Sequence, residues 1–264
     1  MLKLVVSDLD GTLLDHNHQI TQICKQALQA VDALGIQVML ATGRHFNDVF
    51  ALAQQLEIDA CLITSNGARV HNRTGELLYE NHIPESLASK VLSLSAEFGV
   101  HRNLYQGDSW WVEVPNEALL AIHHSSQFSY QLTDFAELDL EGIDKFYFYA
   151  EHEQLLPLEA ELKAQLGDDL YITFTTENYL EVMNKGVSKG HALQAILHNR
   201  NICPSEVMAF GDGFNDIDML QMVGEPVVME NAHSEIKRLL KNAMIAPANS
   251  EDGVAQHLHN TVLR

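Results

Sequence analysis

Three short apolar runs separated by two helix-length amphipathic segments fill the first quarter of the chain, and this alternation restricts the fold more than any other feature. Lys3 to Ser7 is too brief for a helix and is bounded by Asp-Gly, so it reads as a buried strand. Thr21 can cap a helix in which Ile23, Ala27, Ala30, Val31 and Leu34 keep the 3.6 period until Gly35 ends it. Ile36 to Ala41 reads as a second strand, Phe46 to Leu56 as a second helix and Ala60 to Thr64 as a third strand. A β-α-β-α-β order of this kind predicts a parallel sheet with helical crossovers.

Beyond Asn66-Gly67 the texture changes. Val70 with Leu77-Leu78-Tyr79 suggests a hairpin, and Pro84 introduces a helix over Glu85 to Phe98. Strand-like pieces at 110–114, 145–149, 171–175 and 179–183 then alternate with helices at 116–126 and 153–166, the pattern of an α+β insert. The first kind of alternation resumes with a helix over 189–200, a strand at 207–210, a helix at 215–222 and a strand at 227–229. The chain is therefore expected to form an α/β, Rossmann-like core from residues 1–83 and 186–264, around an inserted α+β domain at 84–185.

A chain of 264 residues with 46% hydrophobic and 20% charged side chains has enough apolar material for such an arrangement without staples. Cys24, Cys61 and Cys203 form no C-x-x-C pair or zinc pattern and are expected to be reduced, mostly buried thiols. The apolar start gives way to acid at Asp8, far short of a signal peptide or a membrane span of roughly 18 residues, so the cytoplasm is the expected compartment. A formal charge of −20 opposes binding to nucleic acid or to an anionic membrane, since phosphate contacts need clustered Lys and Arg. An enzyme with that balance acting on anions must concentrate positive charge locally, and a bound divalent cation is the simplest means.

Four segments carry chemistry. Asp8-Leu9-Asp10-Gly11-Thr12 follows the first strand, at the edge where open α/β sheets place ligands. Strand pleating would turn Asp8 and Asp10 the same way, giving a carboxylate pair able to hold Mg²⁺, with one carboxylate to attack and one to move a proton. Taken singly, the pentapeptide is equally compatible with a capping turn. Gly211-Asp212-Gly213-Phe214-Asn215-Asp216 follows another apolar strand and offers a third carboxylate, without the spacing of an EF-hand. Ala41-Thr42-Gly43-Arg44 places a hydroxyl and free backbone N–H groups near a helix start, where phosphoryl oxygens bind. Lys189, in Lys185-Gly186-Val187-Ser188-Lys189-Gly190, puts an ammonium at a helix N-terminus, which makes sense only beside something anionic; Ser188 serves equally well as a plain cap.

Other features point elsewhere. The fourteen histidines show no ligand spacing, and His123-His124 is expected on a helix surface. Trp110-Trp111 in a strand puts one ring on each face, one in the core and the other on the inner wall of the insert. Neither a Gly-rich dinucleotide fingerprint nor a Walker lysine loop is present.

In this order, the four segments resemble the haloacid dehalogenase (HAD) superfamily pattern D-x-D-x-T, Ser/Thr, Lys, G-D-x-x-N-D. The insert resembles the cap of its Cof-type branch. Thr64 to His71, His152 to Glu159 and Gly186 to Leu193 are similar to the YigL-type phosphatases of pyridoxal phosphate and sugar phosphates. The resemblance implies a Mg²⁺-dependent phosphatase in which Asp8 is the nucleophile and a metal ligand. Asp10 would give its carbonyl to the metal and its carboxyl as general acid and base, and Asp212 would complete the ligands. Leu9, Thr42, Gly43, Lys189 and Asn215 would hold the phosphoryl group, with Asp216 behind them orienting Lys189 or a metal-bound water, and Arg44 and Asn66 would touch the substrate. Substrate choice would lie with the cap. A phosphomutase shares these motifs; a receiver-like binding module would be about half this length and would lack the second acid. The physiological ester and the oligomeric state stay open.

Overall fold

The computed structural model describes residues 1–123 and 126–264, and for Ile122 the backbone alone. It divides into two compact units, Met1–Glu80 with Ser188–Arg264, and Asn81–Val187. Along the chain, the first unit begins with β1 (Leu4–Asp8), α1 (Gln22–Ala33), β2 (Gln37–Ala41), α2 (Phe46–Gln54), β3 (Ala60–Thr64), β4 (Arg69–His71) and β5 (Leu77–Glu80). The second unit comprises α3 (Glu85–Ser95), β6 (His101–Gln106), β7 (Ser109–Val112), α4 (Glu117–Ile122), β8 (Gln131–Leu132), β9 (Ile143–Tyr149), α5 (His152–Leu166), β10 (Leu170–Thr176) and β11 (Tyr179–Asn184). The first then resumes with α6 (Lys189–Arg200), β12 (Val207–Gly211), α7 (Ile217–Met222), β13 (Glu225–Met229), α8 (Ser234–Leu239), β14 (Met244–Ala246) and α9 (Gly253–Thr261).

In the first unit the strand order is β14-β13-β12-β1-β2-β3-β4-β5, parallel from β14 to β3 and antiparallel at the β4–β5 edge. Its strands alternate between two buried faces: Val5, Val38, Leu40 and Leu62 pack with α1, α2 and α9, while Leu4, Val6, Met39 and Ile63 pack with α6, α7 and α8. Burial on both faces is why these strands read as continuous apolar runs rather than alternating ones. Thr21 caps α1 as expected, its hydroxyl accepting from the Cys24 N–H at 3.1 Å, and Gly35 ends the helix at φ +76°. From β1 the chain moves one way to β2, and from β12 the other way to β13. The gap between β1 and β12 is thus a topological switch point, where such sheets bind ligands beyond the strands' carboxyl ends.

The second unit is a six-stranded sheet, β10-β11-β9-β6-β7-β8. One face carries α3 and α5 on Leu104, Phe146, Phe148, Leu180 and Val182; the other gathers Tyr105, Trp110, Phe128 and Tyr147. Pleating separates the two tryptophans as expected. Trp110 is fully buried, whereas Trp111 is half-buried against the helix-side core and donates to Gln106 Oε1 at 3.0 Å. The helix expected over 116–126 closes at Ile122, and His124 lies outside the described residues. His123 is half-buried rather than a surface residue, its ring edge-on to Trp110 at 5.0 Å. All three cysteines are free thiols; Cys24 and Cys61 are buried and Cys203 is exposed. No helix among the described residues is long and apolar enough to cross a membrane.

Candidate active site

Strand register brings three of the four motif segments to one edge of the first sheet, and Lys189 reaches them from the start of α6. Asp8, the last residue of β1, pairs with Ala41 of β2, which places Thr42 and Gly43 just beyond. On the other side Ser7 pairs with Phe210 of β12, so Gly211 and Asp212 emerge beside Asp8. β1 does not continue through Asp10. After Asp8 the chain enters a helical turn, Leu9–Leu13, closed by the Leu14 N–H onto the Leu9 carbonyl at 2.9 Å. Gly11 makes this turn possible: at φ +79°, a Cβ there would overlap the Asp212 carboxylate.

The ammonium of Lys189 lies 2.6 Å from Asp8 Oδ1 and 2.7 Å from Asp216 Oδ1, with the lysine 1% exposed. Ser188 is the N-cap of α6, its hydroxyl accepting from the His191 N–H at 3.1 Å, so both readings of that segment hold. Asp216 Oδ2 accepts from the backbone N–H of Asp212 at 3.0 Å and of Gly213 at 2.9 Å. Asp216 therefore fixes both the lysine and the loop that carries Asp212. The Thr12 hydroxyl donates to Asp212 Oδ1 at 2.9 Å. One carboxylate oxygen each from Asp8, Asp212 and Asp216 lies within 4.8 Å of the others.

Burial dominates the electrostatics. It raises Asp8 well above the usual carboxylate range against the pull of Lys189, and it pushes Asp212 up to about 6, with Asp216 adding to the shift. Burial also disfavours the charge on Lys189, but Asp216 and Asp8 more than restore it. Three carboxylates are thus gathered around one ammonium in a largely buried site. Oxygen donors at this spacing suit a hard divalent cation. With both Asp216 oxygens already occupied, Asp8 and Asp212 are the carboxylates left to hold it.

The pleat expectation for Asp10 fails because the turn begins at Leu9. Its carboxylate faces Arg44, with Nε 2.7 Å from Oδ2 and Nη2 2.5 Å from Oδ1, and His18 Nδ1 lies 3.2 Å from Oδ1. Asp10 thus contributes no carboxylate to the acidic cluster. Arg44 also pairs with Asp48 at 3.7 Å, and its guanidinium, expected at the substrate, is occupied by two carboxylates of the chain itself. The Thr42 hydroxyl accepts from the Arg44 N–H at 3.1 Å, which directs its own proton away from that turn. Asn215 Nδ2 donates to Asn66 Oδ1 at 3.0 Å. His18 was missed in the sequence; nothing but its place in the loop after Asp10 marks it.

A largely parallel α/β unit with a buried carboxylate joined to a buried lysine, inside an acidic cluster at its switch point, has the features of a phosphoryl-transfer type of hydrolase. The chain belongs to the haloacid dehalogenase-like hydrolase family, whose sequence profile matches residues 5–258. An HMP-PP phosphatase of Yersinia pestis is 36% identical over 260 residues, covering 98% of this chain and 95% of that protein. A haloacid dehalogenase-like hydrolase from Bacteroides thetaiotaomicron has a similar structure, with TM-score 0.89 and 27% identity over 98% of this chain and 99% of its own. The subclass IIB sugar phosphatase BT4131 superposes with TM-score 0.83 at 25% identity, over 98% of each chain.

Proposed function

We propose that this phosphoric monoester hydrolase cleaves small phosphate esters with Mg²⁺ by passing the phosphoryl group through Asp8. The observation that carries the reading is the buried Lys189 ammonium joined to both Asp8 and Asp216 beside the Asp212 carboxylate. Asp8 and Asp212, with the carbonyl of Asp10, would hold Mg²⁺, which when bound offsets carboxylate and phosphoryl charge so that two anions can approach. Asp8 Oδ attacks phosphorus, the P–O bond to the leaving group breaks, and the Asp10 carboxyl, carrying a proton in place of one of its bonds from Arg44, gives that oxygen its proton. Asp10, now ionised, takes a proton from the water that attacks the phosphoryl-aspartate, releasing phosphate and restoring Asp8. Leu9, Thr42, Gly43, Lys189 and Asn215 surround the phosphoryl oxygens, because this reaction is accelerated chiefly by positioning and charge stabilisation.

Support for the substrate class comes from the relatives, named for HMP-PP and for sugar phosphates; the local similarities noted above add pyridoxal phosphate. Residues 81–187, the inserted unit, would set the choice among them. The charge of −20 supports a small-molecule ester over nucleic acid or membrane as partner, in the cytoplasm. The test is phosphate release from HMP-PP, pyridoxal phosphate, hexose phosphates, flavin mononucleotide and p-nitrophenyl phosphate, with Mg²⁺ or EDTA, for wild type and Asp8→Asn. Mg²⁺-dependent turnover abolished in Asp8→Asn is the expected result. Turnover that survives in the variant overturns the aspartyl route, and phosphoryl transfer between sugar hydroxyls without phosphate release points to a mutase.

A further inference from the structure

Asn66 stands where three segments of the site meet. Its backbone N–H donates to the Thr42 carbonyl at 3.0 Å, and the preceding Ser65 N–H donates to the Arg44 carbonyl at 2.8 Å. Its side-chain Oδ1 accepts from Asn215 Nδ2 at 3.0 Å, and a Cβ added at Gly43 would lie 2.9 Å from the same oxygen. The following Gly67 is packed so closely that a Cβ would strike the Ser188 carbonyl, directly before Lys189. One short turn therefore touches the segments of Thr42, Asn215 and Lys189, and Asn66 is 4% exposed within it.

The turn is held in an unusual conformation. Ser65, Asn66 and Gly67 have φ of +49°, +56° and +101°, three successive residues in the left-handed region. Glycine enters it freely and asparagine tolerates it, but for serine it costs roughly 1–2 kcal/mol. Strain of this kind persists where surrounding contacts over-determine it, and it clusters at functional sites. Here it aims the Asn66 amide between the Thr42–Gly43 turn and Asn215, which no regular β3–β4 hairpin turn would do.

We infer that Asn66 is a positioning residue: it sets the spacing between the Thr42–Gly43 turn and the Asn215 amide so that both reach one phosphoryl group, without itself touching the ester. The inference rests on the phosphatase reading above and changes the role of Asn66 from substrate contact to fixing the phosphate-binding groups. Asn215 can present its remaining polar atoms in one direction only while Nδ2 is tied to Asn66. Because a misplacement of about 1 Å can cost on the order of 10²-fold in rate, such a tie is a sufficient device for catalysis.

The experiment compares wild type, Asn66→Gly, Asn215→Ala and the double variant. Asn66→Gly preserves the left-handed backbone while deleting the amide, and thermal melting verifies that it is folded. Rates are measured on esters with three unrelated leaving groups, and inorganic phosphate binding is measured by calorimetry, which needs no turnover. Expected are a kcat loss of about 10–100-fold that is the same for every ester, phosphate affinity weakened about 5–10-fold, and little further loss when Asn215→Ala is added. A loss below about 2-fold, full additivity with Asn215→Ala, a wild type that binds no phosphate, or a defect that follows the leaving group while phosphate affinity stays unchanged would each overturn the inference. The phosphatase reading fails separately, by turnover that survives in Asp8→Asn.

Discussion

Both carboxylate oxygens of Asp10 are gripped by the guanidinium of Arg44, at 2.7 and 2.5 Å. A forked pair of this kind fixes orientation as well as charge. Arg44→Lys cannot reproduce the two parallel bonds, and Arg44→Ala releases Asp10 altogether. If Asp10 moves the proton, both variants should lower kcat, Arg44→Ala by about 10²-fold, the lower end of what positioned proton transfer contributes. KM should change little. Esters with good leaving groups, such as p-nitrophenyl phosphate, need less protonation and should lose less in the first step. Steady-state kinetics on the ester panel check this; a uniform KM increase with kcat intact would instead make Arg44 a substrate ligand.

Lys189 has no room for error. Its ammonium is buried between Asp8 and Asp216, and removing it leaves two carboxylates in a dry site without their cation. Breaking a buried pair by deleting one partner typically costs roughly 3–5 kcal/mol, and losing one preorganised charge-stabilising donor roughly 10²–10³ in kcat. Lys189→Ala should therefore fail on both counts. Lys189→Ala combined with Asp216→Asn should regain part of the stability but none of the activity, as urea unfolding and phosphate release will show.

The core strands were legible because burial on both faces turns each into an unbroken apolar run, as at Leu4 to Val6 and Ala60 to Ile63. The motif segments were legible because each sits where such a run stops. β6 was not. His101, Arg102, Asn103 and Gln106 look like loop residues, yet the Asn103 amide is buried, accepting from Trp110 Nε1 at 3.1 Å and donating to the Tyr147 carbonyl at 3.4 Å. Cross-strand partners supplied what local sequence could not. The stretch from Ser234 to Ala246 is not legible either, because β14 and α8 are short and Met244 and Ile245 stay exposed. Within the site, the pairing of Arg44 with Asp10 depends on a turn at Leu9–Leu13 that breaks the strand period, and period-two reasoning cannot see it.

Gly11 is a second test of that turn. Its φ of +79° disfavours any side chain, and a Cβ would overlap Asp212. Gly11→Ala should destabilise the protein by at least about 1–3 kcal/mol, the range for left-handed strain, and should displace the Asp212 carboxylate. Mg²⁺ affinity, followed by calorimetry on folded protein, should weaken together with activity. Unchanged Mg²⁺ affinity in a folded Gly11→Ala protein would overturn the proposal that Asp212 is a metal ligand.

His257 offers a pH test remote from catalysis. Its ring is buried in α9 edge-on to Phe210, at 5.4 Å, and its Nε2 has no hydrogen-bond partner among the described residues. Burial lowers its pKa from the ordinary 6.5. Between the lowered value and 6.5 the unfolded chain binds the proton and the folded chain does not, so stability rises with pH across that window and is lost as pH falls below about 6.5. Replacing the ring by leucine removes this linkage. Melting temperatures at pH 7.5 and 5.5 should fall further for wild type than for His257→Leu, whatever the other histidines contribute to both. Equal falls would mean that the ring reaches water and protonates without opening α9.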